Sequence, residues 1–243
     1  GITRKKLIHY LNLDQDLPGV LNPIRLSISN SHKGIPDPVF EAAATFASGL
    51  RIIRQDPWEC LICFICSQNS NIPAITKRIH ALCKKYGEPR HDGQYTFPTP
   101  EVLSKESSES LRLCSTGYRA EYLAATARLI LTDPLFLPRI RALSYSDAKK
   151  EIMKLPGVGP KVADCVLLFG FGCYEAVPVD VWIRSIITSR YPEVDLCKGK
   201  KQSCSYDDIA DWCRQYFGLY AGYAQQILFA SRTRLPEICQ IEK

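Results

Sequence analysis

Leu-Pro-Gly-Val-Gly-Pro-Lys, residues 155–161, is the stretch of this sequence that decides its fold. Gly157 and Gly159 give the backbone freedom and remove side chains from a tight turn, so successive N–H groups can point outward. Pro160 can then begin a helix without wasting a donor, and that helix adds unpaired N–H groups and a positive dipole end. The pattern predicts a helix-hairpin-helix motif that binds a DNA phosphate through Gly157, Val158 and Gly159 without reading base sequence. The alternative is a plain glycine-rich connection between two helices.

The sequence on both sides of this turn is typical of an all-α chain. Ser144 with Asp147, and Ser205 with Asp208, resemble capping boxes in which Asp replaces the usual Glu. Apolar spacing and cap residues predict helices at about 57–67, 73–86, 119–131 and 220–231, with loops at 20–37, 88–100 and 191–204.

Composition and charge narrow the function classes. The 243 residues, 46% hydrophobic and 23% charged, fit one large or two small domains and argue against disorder or a fibrous repeat. No apolar run reaches the ~20 residues that cross a bilayer, and no signal-peptide core follows the N-terminus. A net charge of +6 fits a nucleic-acid partner without proving one. The chain begins with Gly1 and its single Met is Met153, so we expect a processed, engineered or truncated N-terminus.

Eleven cysteines without a secretory signal predict an intracellular location, in cytoplasm or nucleoid, or in the nucleus of a eukaryote. Cys60, Cys63 and Cys66 recur every three residues among apolar neighbours. This spacing favours a buried helix with thiols packed as small hydrophobes over a metal site.

A second group of cysteines resembles part of an iron–sulfur cluster motif. Cys197, Cys204 and Cys213 match three of the four ligand positions in the iron–sulfur loop of endonuclease III-like repair enzymes, but Asp207 stands at the remaining one. Such clusters are normally held by four thiolates, and Cys213 falls on the apolar face of a predicted helix. We therefore expect no iron–sulfur cluster.

Lys161 and Asp180 turn the binding motif into a candidate catalyst. One amphipathic helix and a short loop fit between them, so the chain can return and place both side chains at one cleft. Alone, Asp180 could simply cap the helix that follows it, and Lys161 could simply contact a phosphate.

Taken together, these motifs resemble the 8-oxoguanine DNA glycosylase/AP lyases of the helix-hairpin-helix (HhH-GPD) superfamily. The resemblance covers about 10–234 and is carried by 54–57 (RQDP), 64–72 (FICSQNSNI), 117–120 (GYRA), 155–165, 177–181 (VPVDV) and 218–229. It implies two helical subdomains with a DNA-binding cleft between them, acting as a monomer on double-stranded DNA with a damaged base. We expect an N-terminal helix and loop over 1–37 and the glycosylase domain over 38–243, with the hairpin at about 145–172.

The resemblance also implies a mechanism. The damaged nucleotide leaves the duplex, Lys161 attacks C1′ and forms a Schiff base, and β-elimination nicks the strand. Asp180 stabilises the cationic sugar. No cofactor is required, although the family's hairpin often holds Na⁺ or K⁺ on carbonyls that map to Met153, Leu155 and Val158.

Further residues map onto the family's base and DNA contacts. Phe229 and Cys165 would meet the two faces of the base, and Gln225 would hydrogen-bond its Watson–Crick edge. By helical spacing alone, Phe229 could be a core residue and Gln225 a rim residue. The residues expected at the DNA itself are Asn69, Tyr118 and Arg119, the first two filling and wedging the stack.

This sequence departs from the family at three places. Ala74 stands where animal members carry an Arg that recognises the opposite cytosine, so discrimination of the opposite base should weaken. Trp182 replaces a His that contacts a phosphate. We expect nothing in 1–37 to resemble the family's N-terminal antiparallel sheet domain, most or all of which the chain should lack. The alternatives are a glycosylase for another oxidised or alkylated base, or a non-catalytic DNA-binding module.

Overall fold

Helices make up the regular structure of this protein. The computed structural model describes residues 3–31, 33–191 and 204–234. Within those ranges the β structure is limited to an isolated bridge between Pro89 and Tyr95. The predicted all-α class is therefore confirmed. Among the described residues, no helix is long and apolar enough to cross a membrane.

The chain divides into two compact units. The hairpin unit comprises Gln55–Val166 and the terminal unit comprises Gly1–Arg54 with Leu167–Lys243. The expected boundary between residues 37 and 38 stays a prediction.

The hairpin unit contains the helices that surround the glycine-rich turn. In chain order they are α4 (Pro57–Ser67), α5 (Ile72–Tyr86), α6 (Pro100–Ser104), α7 (Ser108–Arg112), α8 (Arg119–Thr132), α9 (Phe136–Ile140), α10 (Tyr145–Ile152) and the first part of α11 (Pro160–Phe171). Its core is lined by apolar side chains of α4 and α8, among them Leu61, Ile65 and Leu123.

The terminal unit is built from both ends of the chain. Its helices are α1 (Arg4–Tyr10), α2 (Leu17–Ser31), α3 (Pro38–Phe46), the end of α11, α12 (Val181–Arg190), α13 (Tyr206–Phe217) and α14 (Ala221–Ala230), with a 3₁₀ turn at Gly218–Tyr220. Phe40 and Phe217 pack together in its core, with ring centroids 5.7 Å apart.

Local capping explains where several helices begin. The Asp56 carboxylate accepts the Glu59 N–H at 3.0 Å ahead of Pro57, and Asn71 caps α5 in the same way. Ser205 and Asp208 form a complete capping box at the start of α13. These caps satisfy N–H groups that have no partner inside the helix. The four helices predicted from the sequence are confirmed to within about one residue.

The predicted loop at 20–37 was wrong over most of its length, because α2 extends to Ser31. Val20, Ile24 and Ile28 recur every four residues and are buried, which is a helical core pattern. The Ser27 hydroxyl donates to the Tyr216 carbonyl at 2.9 Å, so α2 packs on α13. Pro23 and the neighbouring serines and asparagines obscured this pattern, since their propensities favour turns.

Gly222 sets how closely α14 approaches the segment that leads to Asp180. Its N–H donates to the Tyr174 carbonyl at 2.7 Å, and a Cβ there would lie 2.2 Å from the Ala176 carbonyl oxygen. A larger residue would push α14 away from residues 174–176, which precede Asp180 by a few positions.

Candidate functional site

The turn between α10 and α11 needs one glycine for its backbone and leaves space at the other. Gly157 has φ +77°, and a Cβ there would lie 2.5 Å from the ring of Tyr122. Gly159 has a different role, since nothing lies within 4 Å of the Cβ position. The bare backbone at Gly159 is therefore open to an approaching group, next to the unpaired N–H groups of the first turn of α11.

A buried carboxylate holds α10 and α11 together across this turn. Asp164, on α11, is fully buried and accepts the Tyr145 hydroxyl at 2.7 Å and the Lys149 ammonium at 3.0 Å. The Lys149 side chain is 13% exposed, so the ion pair is largely shielded from water. Removing Lys149 would take this cation away from the buried Asp164 carboxylate, which is costly in the interior.

Lys161 lies in the first turn of α11, directly after the hairpin. It is half-buried, and its Nζ lies 5.2 Å from the centroid of the Phe64 ring of α4. The aromatic face attracts the amine electrostatically and limits where it can point.

Cys165 follows on the buried side of α11. The pKa of the neighbouring Cys60 thiol is raised well above its usual value, chiefly by burial and further by Cys165. Burial likewise raises the pKa of Cys66 to about 12. Cys60 and Cys66 are fully buried in α4 and Cys63 is partly buried, so the predicted packing of this cysteine helix is confirmed.

The structure brings Asn69 and Tyr118 together. Asn69 follows α4 with φ +45° and donates its side-chain amide to the Tyr118 hydroxyl at 3.2 Å. Both side chains are exposed, and their predicted contact with a DNA stack stays a prediction. Gln68, beside Asn69, donates to the Gly157 carbonyl at 2.8 Å and so links this loop to the hairpin turn.

Two arginines hold the loop that carries Asn69. Arg119 is buried, donates to the carbonyls of Gln68 and Asn69, and lies 4.5 Å above the Tyr118 ring. Arg78 donates to the Cys66 carbonyl at 3.1 Å and to the Ser70 hydroxyl at 2.6 Å. The predicted DNA contact of Arg119 stays a prediction, since these contacts already commit its guanidinium to the loop.

In the terminal unit, Asp180 caps α12. Its Oδ1 accepts the Ile183 N–H at 2.8 Å, which fixes the carboxylate. The Tyr206 hydroxyl holds the preceding residues by donating to the Val177 carbonyl at 3.1 Å and accepting the Val179 N–H at 3.4 Å. Trp182 is half exposed in the first turn of α12.

Two residues predicted to contact the base, Gln225 and Phe229, lie on α14 of the terminal unit. Gln225 is buried, and its Oε1 accepts the side-chain amide of Gln226 at 2.7 Å. Phe229, one turn later, is partly exposed. The i, i+4 spacing puts both on one side of the helix.

Two groups were considered as metal ligands in the sequence: the backbone carbonyls of the hairpin and the cysteines near α13. Leu155, whose carbonyl is one of three proposed ligands of a monovalent cation, accepts the Val158 N–H at 3.1 Å. Cys204 is disulfide-bonded, Cys213 is buried in α13 with its pKa raised by burial to about 12, and Cys197 lies outside the described residues. Across the described ranges, no three or more His, Cys, Asp or Glu side chains are grouped to hold a metal.

Sequence reasoning missed the residues that position these candidates, chiefly Asp164, Lys149, Gln68 and Tyr206. Asp164 had a usable signal, since a single carboxylate within the apolar run Val162–Val166 of α11 must find a cation. Gln68 and Tyr206 had none, because their partners lie far away in the chain.

Comparison of the sequence with known protein families identifies the family of this chain. The model of the HhH-GPD superfamily base excision DNA repair proteins matches residues 62–211, which is more than half of the chain. The chain belongs to this superfamily. Its HhH-GPD region includes the hairpin, Lys161 and Asp180.

Several relatives of this HhH-GPD chain are glycosylase/lyases. It is 36% identical to N-glycosylase/DNA lyase OGG1 of Arabidopsis thaliana over 79% of this chain and 54% of the relative. It is 32% identical to a probable N-glycosylase/DNA lyase of Methanothermobacter thermautotrophicus over 85% of this chain and 70% of the relative. The chain thus spans about half the length of the plant relative. The resemblance drawn from the motifs is confirmed.

A solved structure extends the similarity to the fold. The Clostridium acetobutylicum 8-oxoguanine glycosylase/lyase, in complex with double-stranded DNA containing cytosine opposite 8-oxoguanine, superposes with a TM-score of 0.80. The two chains are 33% identical, covering 96% of this chain and 77% of the other.

One expectation about the N-terminus was wrong. The model of the 8-oxoguanine DNA glycosylase N-terminal domain matches residues 2–61, so this segment does resemble that domain in sequence. Its described residues nonetheless form α1, α2, α3 and the start of α4, with no strand among them. This similarity could not be recognised from single residues, because the segment forms short helices and contains no diagnostic motif.

We predict that Lys149→Met lowers the free energy of unfolding by about 3–5 kcal/mol, because the buried Asp164 carboxylate loses its cation. The double variant Lys149→Met/Asp164→Leu should recover most of that loss. Urea unfolding followed by circular dichroism measures both.

The matched control is Lys154→Met, which breaks an exposed pair with Glu151 in the same unit and should cost less than about 1 kcal/mol. Equal small losses for Lys149→Met and Lys154→Met would show that the buried pair does not hold the hairpin.

Proposed function

We propose that this chain is a bifunctional DNA glycosylase and AP lyase that flips 8-oxoguanine out of duplex DNA and excises it. The observation that carries the proposal is the placement of Lys161: a half-buried amine in the first turn of α11, directly after a turn with an open backbone at Gly159. A phosphate bound by this turn would bring the sugar–phosphate backbone to the amine.

Lys161 acts as the nucleophile in this proposal. Its neutral amine attacks C1′, and the electrons of the breaking glycosidic bond leave with the base, which is protonated. Opening of the sugar gives a Schiff base between Lys161 and C1′. Loss of the C2′ proton then expels the 3′ phosphate by β-elimination and nicks the strand.

Asp180 stabilises the positive charge that develops on the sugar. Its role as the cap of α12 supports this, because the bond from the Ile183 N–H fixes the carboxylate through one oxygen. Its second oxygen makes no hydrogen bond within the described residues and is available to the sugar.

The recognition residues divide between base and duplex. Gln225 hydrogen-bonds the Watson–Crick edge of the flipped base, while Phe229 and Cys165 meet its faces. Asn69 and Tyr118, joined by their hydrogen bond, fill the gap and wedge the stack. The backbone of Gly157, Val158 and Gly159 contacts a DNA phosphate, and a DNA contact of Arg119 would have to be made alongside its bonds to the loop that carries Asn69.

A monovalent cation at the hairpin fits the donors present, which are the neutral backbone oxygens of Met153, Leu155 and Val158. Such a cation would strengthen the positive field at the turn where the phosphate binds. The Leu155 carbonyl would share its lone pairs with the Val158 N–H.

We predict that borohydride traps a covalent complex between the chain and duplex DNA containing 8-oxoguanine, and that Lys161→Gln abolishes it. Borohydride reduces the Schiff base, so the trapped band on a denaturing gel reports the Lys161 bond. Lys154→Gln removes an exposed lysine near the same turn and should still be trapped. Undiminished trapping of Lys161→Gln would assign the nucleophile to another amine.

We predict that Asp180→Asn lowers the single-turnover excision rate by about 100-fold or more while stability changes by under about 1 kcal/mol. The Asn side-chain oxygen can still accept the Ile183 N–H, so the cap survives and only the charge is lost. A rate near that of the parent would limit Asp180 to capping α12.

We predict that 8-oxoguanine is excised far faster than undamaged guanine, with weak dependence on the opposite base because Ala74 provides no guanidinium. Ala74→Arg should raise the preference for opposite cytosine over adenine by about fivefold or more. Single-turnover cleavage of a lesion panel against all four opposite bases measures both. Equal rates for 8-oxoguanine and guanine would refute the substrate, whereas faster excision of an alkylated base would replace it.

A further inference from the structure

A second residue at the end of α14 lies against Phe229. The Arg232 guanidinium carbon is 4.1 Å from the centroid of the Phe229 ring, and its Nη1 donates to the Phe229 carbonyl at 2.9 Å. A distance of this size puts the planar cation directly on one face of the ring. No other aromatic ring contacts Phe229 in the part of the chain that the structure describes.

The backbone that carries Arg232 is itself anchored. Ser231 is fully buried, and its hydroxyl contacts the Ala43 carbonyl of α3 at 3.1 Å and the Ile227 carbonyl of α14 at 3.0 Å. The Arg232 N–H also donates to the Phe229 carbonyl at 3.2 Å. Arg232 is therefore held through its backbone N–H and through its guanidinium, and these bonds fix the guanidinium over the ring.

We infer that Arg232 is a positioning residue that makes Phe229 a one-sided stacking platform for the flipped base. This inference rests on the proposed function, in which Phe229 stacks on the base. An aromatic ring has two faces, and the guanidinium covers one of them, so a stacked base would have to use the other. The class of ligand that this platform fits is an electron-rich purine such as an oxidised guanine.

Two physical effects give Arg232 this role. The cation draws ring electron density toward itself, which makes the opposite face of Phe229 a better partner for an electron-rich base. The contact also fixes the ring before the base arrives, so less conformational freedom is lost on binding. A side chain that served only the C-terminal end of α14 would interact with the helix dipole and would do neither.

The test compares a duplex that offers a base with one that does not. In a Lys161→Gln background, which stops catalysis, the affinity is measured for a duplex with 8-oxoguanine and for one with a tetrahydrofuran abasic site. Arg232→Ala should weaken binding of the 8-oxoguanine duplex about fivefold and leave binding of the abasic duplex within about twofold.

Further variants separate stacking from folding. Arg232→Met retains an apolar side chain over the ring and should still lose most of the effect, whereas Arg232→Lys retains the charge and should lose less. In a Phe229→Ala background, Arg232→Ala should have no further effect on the 8-oxoguanine duplex. Thermal unfolding of each variant checks that the unit remains folded.

Three results would overturn the inference. Equal weakening for both duplexes, with a shallower dependence on salt, would make Arg232 a phosphate contact. No change in affinity for either duplex would show that Arg232 is only a solvent-exposed residue at the end of α14. A parent that binds 8-oxoguanine no better than undamaged guanine would refute the proposed substrate together with the platform, a failure visible before any Arg232 variant is made.

Discussion

The carboxylate of Asp164 has no access to water, and a charge in that position must find its partners inside the protein. It finds them on α10, in the Tyr145 hydroxyl and the Lys149 ammonium. Both partners face Asp164 only if α10 and α11 keep a fixed spacing and rotation. The residues between the helices must then turn within a short distance, which requires a left-handed backbone at Gly157. One buried carboxylate thus sets the geometry of the hairpin and the direction of the first turn of α11.

From the hairpin, contacts extend to the loop that carries the proposed wedge. Gln68 donates to the Gly157 carbonyl, and the Thr126 hydroxyl of α8 donates to the Pro156 carbonyl at 3.2 Å. Tyr122 of the same helix closes the space beside Gly157. Because Arg119 and Arg78 hold the other side of this loop, Asn69 has a defined position relative to the turn. The proposed phosphate contact and the proposed stack contact are thus linked to each other through hydrogen bonds of one compact unit.

The sequence predicted features whose cause is local and missed those whose cause is distant. Pro57 after Asp56, and the Ser205 box, mark helix starts through bonds that span three residues, so their positions could be read directly. Asp180 was recognised as a cap from its place before α12, and as a catalytic candidate from its spacing after Lys161 and the family motif around it. The helix α2 was missed, because turn-favouring residues such as Pro23 obscured a buried apolar stripe that packing in the terminal unit stabilises. The bond from Gln68 to Gly157 joins two chain segments that no local pattern connects.

The same distinction separates the residues that would touch DNA from those that aim them. In the proposed function, Lys161 and Asp180 act on the sugar while Gln225 and Phe229 contact the base, and the motifs around these residues made them recognisable in the sequence. Arg232 is inferred to act only through Phe229, and Gln226 donates its side-chain amide to Gln225, so neither would touch the base in the proposed function. In sequence they look like ordinary polar residues near the end of a helix. On that inference, a change at Arg232 would alter how the Phe229 ring meets the base without touching the reacting atoms. In the proposed reaction, lesion preference would therefore depend on the residues that contact Gln225 and Phe229 as well as on Gln225 and Phe229 themselves.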